Sequence, residues 1–184
     1  MLCQGRYSQG NARVNTGSNA VITEKEFKAS ADKAGTDAYI VGQVDPSPLP
    51  GGGKLNKHAA AAFRTMREAA LADGVELKVL SGFRSRSSEE ATAKQNTNRV
   101  AFGGFSPHSL GLAADLALKV GTSSKAGFTE TSTRMDKLVG MLASPAYKWV
   151  YVHGAAHGFF QYQAEPWHWE YNPPGFKERF WAER

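Results

Sequence analysis

The spacing of apolar positions predicts a helix and then a strand at the start of the main domain. Between residues 54 and 72, apolar side chains recur every three or four residues, which is typical of a helix with one buried face. Asp73 and Gly74 then end the helix. Residues 76–81, ELKVLS, alternate apolar and polar positions like a strand with one face on the core. The predicted buried stripe of the helix consists of Leu55, Ala59, Phe63, Met66 and Ala70.

A second strand is predicted at residues 112–118, and it contains an acidic residue at its centre. Successive side chains of a strand point to opposite faces of the sheet. Asp115 therefore points away from the face that carries the apolar residues Leu112, Ala114, Leu116 and Leu118. Because a charged group in an apolar strand is costly unless it is paired, we expect Asp115 to have a specific partner.

The rest of the chain completes a mixed pattern of helices and short strands. We expect a polar helix at residues 87–99, a polar loop at 119–132 that borders a cleft, a helix at 133–142, a strand or helix start at 148–152 and a strand at 167–171. This pattern indicates the α+β class, with a small sheet covered by helices.

The first part of the chain differs from the rest in composition. Residues 1–53 are polar and rich in turn-forming residues, and they end in the string PSPLPGGG. We therefore expect an N-terminal arm or linker at residues 1–53 and one catalytic domain at residues 54–184, which we expect to be a monomer.

Composition narrows the possible partners. The formal net charge of +5 favours an anionic partner, but the 22 lysines and arginines are scattered, so a nucleic-acid-binding domain is disfavoured. No apolar stretch approaches the length of a membrane span, and the first twenty residues lack the apolar centre of a secretory signal. Cys3 is the single cysteine, so a bound metal has to be held by histidine and carboxylate side chains.

Three motifs carry candidate chemistry: SGFRS at 81–85, SPHSLGLAAD at 106–115 and EPWH at 165–168. A catalytic zinc site keeps three protein ligands and one position for water. His108, Asp115 and His168 provide such a set. Glu165 is then left to act as the general base that a hydrolytic reaction requires, and the neighbouring proline indicates that it lies in the turn before the last strand.

Taken in this order, the motifs resemble those of the LAS-type zinc peptidases. That family includes VanY-like D-alanyl-D-alanine carboxypeptidases, VanX-like dipeptidases and phage L-alanyl-D-glutamate endopeptidases. Its pattern S-x-H-x-x-G-x-A-x-D is matched by Ser106, His108, Gly111, Ala113 and Asp115. Its second pattern, E-x-W-H, is matched by Glu165, Trp167 and His168.

The resemblance implies the hedgehog/DD-peptidase-like fold and one zinc ion per chain, held by His108, Asp115 and His168. It also implies catalysis by Glu165, which assists attack by a zinc-bound water, and a substrate-facing Arg84. Ser106, Glu89 and Trp167 complete the prediction as substrate-binding residues.

The expected function is hydrolysis of D-amino-acid-containing stem peptides of bacterial peptidoglycan. D,D-carboxypeptidase, D,D-endopeptidase and L-alanyl-D-glutamate endopeptidase activities all stay open, as does a non-catalytic wall-binding module that keeps zinc for stability. Glu89 stands where VanY-like sequences carry a glutamine, and its charge would repel a substrate carboxylate, which favours an endopeptidase. Action at the cell wall or periplasm would require delivery by phage lysis or a secretion system, or a place within a longer chain.

Overall fold

The computed structural model describes residues 14–15, 46–50, 52–85, 87–88, 91, 106–118, 135–162 and 165–182. Its strands are β1 (Val14–Asn15), β2 (Pro46–Pro48), β3 (Lys54–Asn56), β4 (Val79–Ser81), β5 (Ala113–Leu116), β6 (Phe159–Tyr162) and β7 (His168–Tyr171). Its helices are α1 (Lys57–Ala72), α2 (Met135–Ala143), α3 (Pro145–His153) and α4 (Phe176–Ala182), with 3₁₀ turns at Pro107–Leu110 and Gly154–His157.

A five-stranded sheet in the order β1-β6-β7-β5-β4 forms the centre of the fold. The β1–β6 pair is parallel, and the other three pairs are antiparallel. Strands β2 and β3 form a separate antiparallel pair. The predicted α+β class with a small, mostly antiparallel sheet is therefore confirmed. Within the part of the chain that the structure describes, no helix is both long and apolar enough to cross a membrane.

The sheet has an apolar face that packs against α1. Phe63 of α1 meets Phe159 of β6 edge-on, with ring centroids 5.9 Å apart. The apolar residues predicted around Asp115 all belong to this core, which confirms the predicted alternation: Leu112, Ala114, Leu116 and Leu118. Asp115 points to the opposite face, to which His168 and Glu170 of β7 also project.

Helix α1 begins three residues later than its apolar period suggests. The predicted stripe is fully buried, as expected. However, Asn56 has extended backbone angles (φ −52°, ψ 145°), and its side-chain oxygen accepts a hydrogen bond from the backbone N–H of His58 at 3.0 Å. This N-cap ends strand β3 and starts the helix. Residues 54–56 pair with β2 instead.

The remaining elements agree with the sequence in part. The strand expected at 76–81 is confined to β4, the helix expected at 133–142 is α2, and residues 148–152 form the body of α3. Strand β6 and helix α4 were not predicted. The polar loop at 119–132 and most of the expected helix at 87–99 lie outside the described residues, although 87, 88 and 91 are helical.

Parts of the predicted arm contact the main domain. Strand β2 pairs with β3, and Arg64 of α1 donates a hydrogen bond to the carbonyl of Pro48 at 2.6 Å. Val14 and Asn15 pair with the end of β6. The domain boundary at residue 53 stays a prediction.

Gly111 joins the start of α1 to the segment that carries His108. Its φ of +65° is one that L side chains rarely adopt, and a β-carbon there would lie 2.6 Å from the backbone nitrogen of Asn56. The same nitrogen donates a hydrogen bond to the Gly111 carbonyl at 2.8 Å. A side chain at position 111 would therefore force these two segments apart.

We expect Gly111→Ala to destabilise the protein more than Gly74→Ala, which is the matched control. Gly74 has a similar φ of +74° but nothing within 4 Å of its added β-carbon, so Gly74→Ala should lower the free energy of unfolding by only about 1 kcal/mol. Gly111→Ala should lower it by roughly a further 1–3 kcal/mol, because the added β-carbon clashes with the Asn56 backbone. Urea unfolding of both variants measures the difference. Equal losses would show that the close approach at Gly111 contributes nothing.

Candidate metal centre

Three buried side chains meet on the polar face of the sheet. His108 Nε2 lies 3.3 Å from Asp115 Oδ1, and His168 Nδ1 lies 3.0 Å from the same oxygen. One ligand atom from each residue lies within 4.8 Å of the others. Among the described residues, this is the one group of three or more histidine, cysteine or acidic side chains that could hold a metal ion. The structure thus brings together the three residues that the sequence predicted as ligands.

Strand register and a capped turn position these side chains. Asp115 of β5 lies directly across from His168 of β7 in an antiparallel pair. Residues opposite each other in such a pair project to the same face, with close β-carbons. His108 comes from the 3₁₀ turn, where the hydroxyl of Ser106 accepts a hydrogen bond from the His108 N–H at 3.2 Å. Pro107 is the first residue of the turn, and its fixed φ restricts the direction in which the backbone enters the turn.

The hydrogen bonds of His108 leave one ring nitrogen available for a cation. Its Nδ1–H donates to the carbonyl of Gly82 at 2.7 Å, because a carbonyl can only accept. Nε2 then carries a lone pair, and it is buried with no hydrogen-bond partner. Leaving a buried acceptor unsatisfied costs about 1–3 kcal/mol. A metal ion between Nε2 and the Asp115 carboxylate would satisfy both groups.

The electrostatics of the site favour positive charge. Burial alone would raise the pKa of Asp115, but the neighbouring His108 and His168 hold it well below its ordinary value. Burial works to lower the pKa of His168, but hydrogen bonds to Asp115 and Glu170 raise it to about 10. Two imidazole nitrogens and one carboxylate oxygen are also ligands that zinc prefers. The donor set therefore fits zinc.

Arg84 lies beside the ligand set. Its Nη1 donates to Ser81 Oγ at 2.9 Å and lies 3.5 Å from Asp115 Oδ2, while its backbone N–H donates to the carbonyl of His108 at 3.1 Å. About a quarter of its side chain is exposed (27%). The guanidinium is thus anchored to the outer oxygen of Asp115 at the edge of the site, and its predicted role toward substrate stays a prediction.

Glu165 lies in the turn that leads into β7, as predicted. Its N–H donates to the carbonyl of Tyr162 at 3.1 Å, and its own carbonyl accepts from the N–H of His168 at 3.0 Å. The residue is half-buried. Two hydrogen bonds therefore hold its backbone next to a ligand residue, whereas its role as a base is not tested by the geometry.

The three predicted substrate-binding residues have different surroundings. Ser106 is buried and caps the turn of His108, as described above. Trp167 is buried in the core, and its carbonyl accepts a hydrogen bond from the N–H of Leu116 at 2.9 Å. Glu89 lies outside the described residues. Substrate contact by all three stays a prediction.

Two further residues contact His168 and were not predicted. Glu170 Oε1 lies 3.3 Å from His168 Nε2. The ring of Tyr162, which is partly exposed, meets the His168 ring edge-on at a centroid distance of 5.7 Å. A signal for Glu170 was present in the sequence, because residues two apart on a strand share a face. Tyr162 could be found only once β6 was placed beside β7.

Comparisons with known proteins bear on this geometry. A family model described as VanY, D-alanyl-D-alanine carboxypeptidase, matches residues 52–174. The protein named "Putative carboxypeptidase YodJ" from Bacillus subtilis (strain 168) is 29% identical over 137 residues, which cover 64% of this chain. The match spans 46% of YodJ, or about half of its length.

Solved structures show the same fold. VanYB in complex with D-alanine-D-alanine superposes with a TM-score of 0.52 and 20% identity, covering 77% of this chain and 84% of VanYB. A VanY mutant in complex with Zn(II) superposes with a TM-score of 0.51 and 21% identity, covering 76% of this chain and 85% of the mutant. The D,D-dipeptidase VanXYg in complex with a D-Ala-D-Ala phosphinate analog superposes with a TM-score of 0.53 and 18% identity, covering 77% of this chain and 61% of VanXYg. These likenesses confirm the predicted LAS-type fold.

We expect the purified protein to hold about one zinc ion per chain, because three buried donors converge on one point. His108→Ala, Asp115→Ala and His168→Ala should each reduce zinc to well below that level. The control is His153→Ala, whose exposed ring stacks on Trp149 at 4.5 Å and should leave zinc unchanged. Elemental analysis after dialysis measures zinc per chain. Full occupancy in all three ligand variants would refute the site.

Proposed function

Because the chain belongs to the VanY family of D-alanyl-D-alanine carboxypeptidases, we propose that it is a zinc peptidase that removes terminal D-alanine from peptidoglycan stem peptides. The observation that carries the proposal is the buried, unpartnered Nε2 of His108, which faces Asp115 beside His168. A metal cation bound between these atoms would satisfy both the lone pair of Nε2 and the negative charge of Asp115.

The proposed ligand atoms are His108 Nε2, Asp115 Oδ1 and His168 Nδ1. Zinc bound there would polarise the scissile carbonyl and lower the pKa of a water molecule to about 7. The other functions come from the chain's own residues. Burial of the three ligands keeps bulk water away from the site, which strengthens each electrostatic contact.

Glu165 is the proposed general base. Its carboxylate takes the proton from the attacking water and then passes it to the leaving amine. The support is positional, since hydrogen bonds to Tyr162 and His168 hold the turn beside the metal ligands. A spare carboxylate at this position suits proton transfer, whereas a purely structural zinc site has no use for one.

Arg84 is the proposed electrostatic partner of the substrate. Hydrolysis places negative charge on the carbonyl oxygen, and a fixed cation stabilises that charge in the transition state. The contacts with Ser81 and Asp115 restrict the guanidinium to the edge of the site. A planar guanidinium also suits the carboxylate at the end of a stem peptide.

Because peptidoglycan stem peptides are the proposed substrate, the protein would act at the bacterial cell wall or in the periplasm. The net charge of +5 would assist binding to an anionic wall through long-range attraction.

An endopeptidase is the second candidate, and Glu89 is the observation that favours it. A carboxylate near the substrate's terminal carboxylate would oppose binding of a free C-terminus but not of an internal bond. We place the carboxypeptidase first because family membership rests on residues 52–174, whereas the endopeptidase rests on one position.

Glu165→Gln should keep zinc and lose most turnover, since only proton transfer is removed. General base catalysis contributes about 10²–10⁴ in rate, so a loss of that size is expected in kcat. The same substitution at exposed Glu178 of α4 is the control and should change neither quantity. Zinc content and D-alanine release are measured on each variant. Near-full activity of Glu165→Gln would contradict the base role, and loss of zinc would make Glu165 a ligand.

Paired digestion of a free pentapeptide and of cross-linked peptidoglycan should show rapid release of terminal D-alanine from the free peptide. If Glu89 opposes the substrate carboxylate, Glu89→Gln should raise that release several-fold, because like charges within reach repel by roughly 1 kcal/mol even in water. Mass analysis of the fragments identifies the bond. Cleavage confined to cross-links would favour the D,D-endopeptidase. Cleavage after L-alanine would favour the phage-type L-alanyl-D-glutamate endopeptidase, and the absence of any cleavage would favour the non-catalytic module.

A further inference from the structure

We propose that Glu170 is a positioning residue that fixes which nitrogen of His168 faces the metal. The inference rests on the proposed function, because it assigns a second carboxylate to the same zinc centre. Glu170 Oε1 lies 3.3 Å from His168 Nε2, and both side chains are buried. No part of the proposed reaction otherwise uses this carboxylate.

Strand geometry directs Glu170 to the Nε2 side of the His168 ring. The two residues are two positions apart on β7, so their side chains project from the same face of the sheet. Ala113 of β5 lies directly across from Glu170, just as Asp115 lies across from His168. Ala113 has a small side chain, so the residue opposite Glu170 offers it no polar partner.

The hydrogen bond assigns the tautomer of His168. An ionised carboxylate can only accept, so His168 Nε2 carries the proton that is donated to Glu170. Nδ1, which lies 3.0 Å from Asp115 Oδ1, is then the ring nitrogen left to bind the metal once its own proton is displaced. His108 has the opposite arrangement, because its Nδ1–H donates to Gly82 and its Nε2 is left as the ligand. With the metal bound, the two histidines would therefore be held as different tautomers by different acceptors.

Charge gives Glu170 a second effect on the metal. A buried carboxylate is costly unless it is paired, and Glu170 is only 3% exposed. Glu170 adds a second negative charge beside that of Asp115, which increases the attraction of the site for a divalent cation. A carboxylate that accepts from a ligating imidazole also makes that imidazole a stronger ligand, and removing such partners typically weakens metal affinity about 10–100-fold.

The test compares zinc affinity in Glu170→Gln and Glu170→Ala, measured by competition with a chromophoric chelator on the intact chain. Glu170→Gln keeps an acceptor oxygen but loses the charge, so it should weaken zinc binding by about 10-fold. Glu170→Ala loses both and should weaken binding by up to about 100-fold. A stepwise fall in zinc affinity from wild type to Glu170→Gln and then to Glu170→Ala would therefore indicate the positioning role.

Gln161→Leu is the matched control. Gln161 is a buried polar residue of β6 that accepts a hydrogen bond from the Tyr147 hydroxyl at 3.0 Å, and it pairs with Trp169 on the apolar face. Its replacement should lower the stability of the zinc-free protein and leave zinc affinity at the wild-type value. If Glu170→Ala does not fold, Glu170→Gln still decides the question.

Zinc affinity equal to wild type in Glu170→Gln, with or without a stability change, would overturn the inference. Absence of zinc binding by the wild-type protein would overturn the proposed function as well, so the two failures are distinguishable. Weakened binding in both Glu170 variants, with unchanged affinity in Gln161→Leu, would support the positioning role.

Discussion

The antiparallel register between β5 and β7 places Asp115 directly across from His168, and the rest of the site depends on this pair. A shift of β5 by one residue against β7 would turn Asp115 away from His168 and into the apolar core. The register also sets Ala113 against Glu170 and brings His108 over the pair from the preceding turn. Packing of the apolar face against α1 therefore stabilises the fold and fixes the chemistry with the same contacts.

This arrangement concentrates acceptors where water cannot reach them. Asp115 Oδ1 lies within 3.3 Å of ring nitrogens from both histidines, and His108 Nε2 has no hydrogen-bond partner. Such a cluster is unfavourable in the folded state unless positive charge is supplied. Since unfolded chains lack a preformed site, the free energy of zinc binding would add to the stability of the fold. Arg84 contributes further positive charge at the outer oxygen of Asp115.

The sequence predicted those features that depend on local patterns. Alternation around Asp115 identified both the strand and the residue that breaks it, and E-x-x-H placed Glu165 in a turn. Strand β6 was missed because Phe159 and Phe160 are both buried, so FFQY shows no alternation. The predicted start of α1 was too early, because the apolar spacing continues back to Leu55 whereas the Asn56 cap starts the helix at Lys57. Tyr162 became visible only through its contact with His168 between β6 and β7, which spacing along the chain does not encode. The two-residue spacing of Glu170 from His168, in contrast, was present in the sequence.

The central claim is that His108, Asp115 and His168 bind one zinc ion through specific atoms. Crystals of the zinc-loaded protein, measured on both sides of the zinc absorption edge, test it most directly through the anomalous difference map. We expect one strong peak about 2.0–2.2 Å from His108 Nε2, Asp115 Oδ1 and His168 Nδ1. A peak elsewhere in the chain, or ligation by His168 through Nε2, would contradict the claim.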